Sequence, residues 1–96
     1  MALAALAVAC APKAPPKRVA IDVSGMAFTP ARVEVSAGDT VVWTNHDIVP
    51  HTATGQGFDT GTLNQGASGR LVPTQAGTIS YACTFHPTMK GEIVVR

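Results

Sequence analysis

Apolar and polar residues alternate with a period of two along much of this 96-residue chain. In Val19-Ala20-Ile21-Asp22-Val23 the three β-branched residues share one face, and Arg32-Val33-Glu34-Val35 repeats the pattern. A period of two is that of a strand with one face buried. Ser36-Ala37-Gly38-Asp39 then has the composition of a turn, and Thr40-Val41-Val42-Trp43-Thr44 is a β-branched and aromatic run. Gly69–Pro73, Thr78–Cys83 and Glu92–Val95 complete the strand-like segments, with Gly-, Asp-, Asn- and Pro-rich connections between them. Past the first ten residues, no window of helical length free of Gly and Pro carries apolar residues at i, i+3, i+4 and i+7. Roughly six to eight short strands in one small domain predict an all-β fold, an antiparallel β-sandwich. The longest irregular section runs from Gly55 to Gly69, and its pattern assigns it no function.

The N-terminus follows a different rule. Met1 to Cys10 are all apolar, too short a stretch for a bilayer that needs about 20 residues but suited to the apolar region of a signal peptide. Leu6-Ala7-Val8-Ala9-Cys10 also resembles a bacterial lipobox, whose cysteine is lipidated and becomes the new N-terminus, although no Lys or Arg precedes it and Ala7 stands where Leu is commoner. Ala11 to Lys17 carries three prolines and reads as an extended spacer. The expected organisation is a signal peptide or lipobox remnant at 1–10, a Pro-rich linker at 11–18 and one domain at 19–96. It implies a periplasmic or extracytoplasmic location, with membrane tethering through Cys10 if the lipobox is used.

Charge narrows the partners. Lys13, Lys17 and Arg18 lie in the tail, so residues 19–96 set Arg32, Arg70, Lys90 and Arg96 against six acids, a net of −2. There is no basic stripe to grip a nucleic-acid backbone, and none of the five aromatic residues interleaves with a basic run. With 78 residues for a core, a domain of this size buries only about 60% of its unfolded surface. A metal bound by the folded state alone would add stability by mass action.

Candidate chemistry gathers in one segment. Cys83, His86 and Met89 are each separated by two residues in Tyr81-Ala82-Cys83-Thr84-Phe85-His86-Pro87-Thr88-Met89, and His51 follows Val49-Pro50 upstream. Thiolate and thioether are soft ligands and imidazole is intermediate, so the set selects copper over magnesium, calcium or manganese. Structural zinc sites draw on cysteine and histidine and have little place for a methionine. Cys83 ends a predicted strand, and the Pro87 segment must turn before Gly91, so one loop can aim three side chains at a point that His51 closes from another. Beside these, His46 reads as a solvated turn residue, Met26 as core packing, and Phe58 and Asp59 as a turn without chemistry. A disulfide between Cys10 and Cys83 would consume the proposed thiolate and ranks last.

Val41-Val42-Trp43-Thr44-Asn45, Val49-Pro50-His51-Thr52, Gly57-Phe58-Asp59-Thr60-Gly61 and Tyr81 to Gly91 together resemble the cupredoxins, and within them the small amicyanin-like and plastocyanin-like blue-copper proteins. The resemblance covers about residues 20 to 95. It implies a Greek-key β-sandwich and one type 1 copper ion, with His51, Cys83 and His86 as in-plane ligands and Met89 as the weak axial one. The two residues between His86 and Met89 match the short amicyanin-type loop. Two positions depart from the family pattern: Thr52 stands where many relatives have Asn, which bears on the hydrogen bond between the ligand loops, and Phe85 stands where they often have Pro, which bears on the surface around His86. Neither is a ligand.

The implied function is one-electron transfer between Cu(I) and Cu(II), with no enzymatic step and with transient docking of redox partner proteins near His86. The competing reading is a periplasmic copper-binding or copper-delivery protein without an electron-transfer role. An oxidase or reductase domain needs a further metal site, and only His46 remains to build one. A metal-free adhesion module is the remaining alternative.

Overall fold

Alternation in the sequence becomes alternation in burial. In β1 (Arg18–Ser24) Ile21 and Val23 are buried while Ala20 and Asp22 face out, and in β3 (Arg32–Val35) the two valines point inward between exposed Arg32 and Glu34. The computed structural model describes residues 14–96. The apolar leader, Cys10 and the start of the linker lie outside the described residues.

Nine strands make two sheets, and no helix occurs among the described residues. The remaining strands are β2 (Ala27–Thr29), β4 (Thr40–Asn45), β5 (Thr54–Gly55), β6 (Phe58–Asp59), β7 (Ser68–Leu71), β8 (Gly77–Ala82) and β9 (Lys90–Val95). One sheet has the order β2-β1-β4-β7 and the other β3-β9-β8-β5-β6. Each sheet buries one face against the other, as the sandwich requires. Ile21, Val23, Val41 and Trp43 meet Val33, Val35, Tyr81, Ile93 and Val95 in one core. The Trp43 indole stacks on Phe58 at 5.6 Å and meets the Tyr81 ring edge-on at 5.3 Å.

The all-β sandwich is as expected, but its sheets are mixed. β1 runs parallel to β4 and β3 parallel to β9, while the other pairings are antiparallel. A period of two tells which face a residue occupies and carries no information about the direction of the neighbouring strand. The Gly55–Gly69 section is also more ordered than its composition implies. It contains most of the β5–β6 hairpin, the first residues of β7, and a buried Leu63 whose backbone pairs with that of His51. Two-residue strands are too short to display a repeat. Met26, expected in the core, is instead 44% exposed at a positive φ of 61° in the β1–β2 turn. Its backbone is committed to that turn, so its side chain cannot follow the strand's inward face.

Strand direction gives the molecule two unlike ends. Arg18 pairs with Thr40 and Val23 with Asn45, so β1 and β4 start together and finish together. The starting end collects the linker and the C-terminus: Thr40 N donates to Lys17 O at 2.9 Å and Ala37 N to Arg96 O at 3.1 Å. β4 and β8 both finish at the other end, leading into the loops that carry His51 and Cys83.

Candidate metal centre

His51 is placed by a turn that Asn45 ties together. At the end of β4 the buried Asn45 amide donates to Val49 O at 2.9 Å and Leu63 O at 2.8 Å, and its carbonyl accepts from Asp47 N at 2.8 Å. The backbone of His51 then bonds Leu63 in both directions, at 3.1 and 2.7 Å. The imidazole is fully buried. Its Nε2 lies 2.9 Å from Asp47 Oδ2, and Asp47 also accepts from Gly25 N at 2.8 Å and Met26 N at 3.0 Å. The Met26 and Gly25 amides hold the Asp47 carboxyl below the usual carboxylate range, against an opposing effect of burial, and the His51 ring adds to the lowering. An ionised carboxylate has no proton to donate, so the proton of this contact belongs to His51 Nε2 and the lone pair is left on Nδ1.

That bare nitrogen faces sulfur. Cys83 Sγ lies 3.7 Å from His51 Nδ1 and 3.8 Å from His86 Nδ1, and donor atoms of His51, Cys83 and His86 all lie within 4.8 Å of one another. Bonds of about 2.0–2.3 Å to nitrogen and thiolate, set at trigonal angles, would put neighbouring donor atoms about 3.7 Å apart. Both sulfur–nitrogen separations therefore fit donors to one ion. Burial pushes the Cys83 thiol up, and the hydrogen bond donated by the Thr52 amide pulls it down. The thiolate is the form that binds metal.

The second loop closes on itself to present its side chains. Met89 N donates to His86 O at 2.9 Å and Cys83 N to Met89 O at 3.1 Å, so the ends of the Cys83–Met89 segment meet. Met89 is 5% exposed and belongs to the same buried cluster as Cys83. Cys83 forms no disulfide among the described residues. Of the four candidates, His51, Cys83 and His86 converge by their donor atoms, and Met89 joins them by loop closure and burial. His46 stays apart, as its turn position suggested: it is exposed and lies 3.1 Å from Asp22 Oδ1.

The Thr52 departure finds its compensation in hydroxyl groups. Thr84 N donates to Thr52 Oγ1 at 2.9 Å, joining the two ligand loops directly, while Thr52 N donates to Cys83 Sγ at 3.4 Å. The sequence reading missed Asp47 as the partner of His51. A carboxylate four residues before a candidate histidine ligand was the available signal, since ligating histidines commonly give their second N–H to a carboxylate.

Comparison with known proteins agrees with this geometry. The pattern of the Cupredoxin-like domain family matches residues 1–95. Amicyanin of Paracoccus denitrificans is 33% identical over 80% of this chain, which spans 64% of that protein's length. Amicyanin-alpha of Methylorubrum extorquens is 33% identical over 98% of this chain and 85% of its own. Among solved structures, a reduced proline-to-phenylalanine variant of amicyanin superposes with a TM-score of 0.78 at 32% identity, with 81% of each chain covered. A purple cupredoxin from Nitrosopumilus maritimus superposes at 0.76 and 29% identity over 81% of this chain and 99% of its own. With a two-sheet sandwich, candidate metal donors brought together from two loops and a family match along nearly its whole length, the chain belongs to the cupredoxin-like family.

Proposed function

We propose that this protein is a small blue-copper electron carrier that holds one copper ion through His51, Cys83 and His86, with Met89 as a weak fourth ligand. The observation that carries the reading is the convergence of two imidazole nitrogens on one cysteine sulfur, at 3.7 and 3.8 Å. A bound copper ion supplies a one-electron Cu(II)/Cu(I) couple, and no substrate bond is made or broken. Two histidines, a cysteine and a long axial methionine are the donor set of blue-copper electron-transfer sites.

The residues around the site keep its geometry fixed during that exchange. Asp47 holds the His51 tautomer and ring direction, and Thr52 N–H meets the sulfur on a lone pair. His51 and Cys83 are buried to 0% and 1% exposure, which keeps water off those ligands. His86 is partly exposed and lies between Phe85, half exposed, and the exposed Pro87. Ile48 at 85% and Val49 at 42% exposure add apolar surface to the His51 loop. Exposed apolar side chains on both loops, beside a partly exposed His86, support transient docking of redox partner proteins there, since weak electron-transfer encounters bury little area.

The same polarity suits a tethered carrier. The linker joins the domain at Lys17, at the end away from the ligand loops. An extracytoplasmic domain anchored by a lipid on Cys10 would then present His86 away from the membrane. Mass spectrometry of the mature N-terminus tests this, and an unmodified terminus beyond residue 10 overturns the tether.

Copper titration of the oxidised protein is expected to produce an intense blue band at one equivalent, and a colourless product overturns the reading. Cyclic voltammetry then separates carrier from delivery protein. A reversible couple with fast electron exchange is expected, and an irreversible response favours delivery.

A further inference from the structure

The hydroxyl contact that replaces the missing Asn is one part of a longer chain. Thr52 Oγ1 lies 3.2 Å from Thr84 Oγ1 and 2.9 Å from Thr54 Oγ1. Thr84 Oγ1 in turn donates to Thr54 Oγ1 at 3.1 Å, and Thr54 Oγ1 donates to Asp59 Oδ1 at 3.0 Å. Asp59 sits opposite Thr54 in the β5–β6 hairpin and also accepts from Gly61 N at 2.8 Å. The β5 strand of that hairpin pairs with β8, Thr54 facing Ala82. The carboxylate, on β6, is therefore joined through β5 to β8, the strand that leads into Cys83.

Proton counting gives the chain one direction. A hydroxyl has one proton to give and an ionised carboxylate has none. Thr54 sends its proton to Asp59, so its oxygen can only accept, and it takes the proton of Thr84. Thr52 gives its one proton to Thr84 Oγ1 and turns a lone pair toward the Thr84 amide. Thr52 follows ligand His51, and Thr84 follows ligand Cys83. The hairpin carboxylate thus orients Thr54 and, through it, Thr84, whose oxygen is left to accept from Thr52.

Resting on the copper reading above, we propose that Asp59 is a positioning residue for the metal centre. Acting through Thr54, Thr84 and Thr52, it fixes the separation of the His51 and Cys83 loops. The carboxylate touches no ligand, and its effect reaches the site only through oriented hydroxyls. Loss of a partner that orients ligands typically costs about 10–100-fold in metal affinity.

The test compares wild type with Thr54→Val, Thr54→Ser and Asp59→Ala in two readouts. In copper-loaded protein, release to an excess of chelator is followed by decay of the visible band. Thr54→Val, which keeps the shape and removes the hydroxyl, is expected to release copper at least about tenfold faster. Asp59→Ala should lie between it and wild type, and Thr54→Ser should stay within about twofold. In metal-free protein, amide exchange at Thr84 is expected to accelerate in Thr54→Val while exchange at Ile93, on β9 of the same sheet, is unchanged. A merely structural role would speed exchange at both. Wild-type release and Thr84 exchange rates in Thr54→Val, wild-type release in Asp59→Ala, or a Thr54→Ser variant as impaired as Thr54→Val, would overturn the proposal alone. A wild-type protein that takes up no copper would overturn the copper reading on which it rests.

Discussion

The two ends of the sandwich both bury polar side chains, and they use them differently. At the linker end, Asp39 is 6% exposed and gives both carboxylate oxygens to backbone: Lys17 N at 2.8 Å and Ser36 N at 2.9 Å. Its hydrogen bonds stay within the chain, and what they achieve is attachment of the linker and closure of a turn. At the ligand end, Asn45, His51 and Thr52 are as deeply buried, but the His51 nitrogen that Asp47 leaves without a proton is aimed at Cys83 Sγ, 3.7 Å away. A buried polar group is normally satisfied within the protein. Donor atoms that converge without satisfying one another are the mark of a site built for something the chain does not itself supply.

The contrast is sharpest at the sulfur. Cys83→Ser keeps nearly the same volume and removes the soft ligand, and it is expected to abolish the blue band altogether in a copper titration while the metal-free protein still folds. Next comes the carboxylate behind His51. Asp47→Ala frees the imidazole tautomer and ring direction and is expected to weaken copper binding about 10–100-fold, measured by competition with a chelator of known affinity. If the affinity is unchanged, Asp47 serves only the β1–β2 turn and the two ends are more alike than described.

A smaller effect should arise beneath the site. A Cβ on Gly91 would overlap the Tyr81 ring, which packs over this glycine from the facing strand. Gly91→Ala is expected to cost about 1–3 kcal/mol of stability through overpacking, read from urea unfolding of the metal-free protein. The smallest predicted change belongs to the linker end. Asp39→Ala is expected to lower the unfolding midpoint and leave the visible spectrum untouched.

The same carboxylate predicts an acid limb of stability. Hydrogen bonds from Lys17 N and Ser36 N hold the Asp39 carboxyl below its usual range, more than offsetting burial. A group whose native pKa is depressed stabilises the fold at pH values above the ordinary carboxylate value of about 3.9, and that contribution is lost as pH falls through the lower native value. Asp39→Ala should therefore flatten the fall in midpoint below about pH 4, and an unchanged acid limb would assign that fall to other carboxylates.

Much of this was legible in the sequence, and for identifiable reasons. Val19–Val23, Arg32–Val35 and Thr78–Cys83 were visible as strands because each has one wet face, which writes a period of two into the residues. Thr40–Thr44 was visible by composition instead, since β4 is the central strand buried along most of its length. The thiol, imidazoles and thioether were legible because metal preference belongs to the ligand atoms themselves. β5 and β6 were not, being too short to carry a pattern, and neither was the exposure of Met26, set by a turn whose amides bind Asp47.

By itself, then, the sequence determined the strand-rich class of the fold, the identity of the soft donors and the choice of copper, all properties carried by single residues or local runs. Only the tertiary structure decided that β1 and β4 run parallel, that Asp47 reaches His51, and that Thr52, Thr54 and Thr84 meet beside Cys83. Those are relations between segments far apart in the chain. Their geometry is fixed by how two sheets bury one core, and no local pattern of residues encodes it.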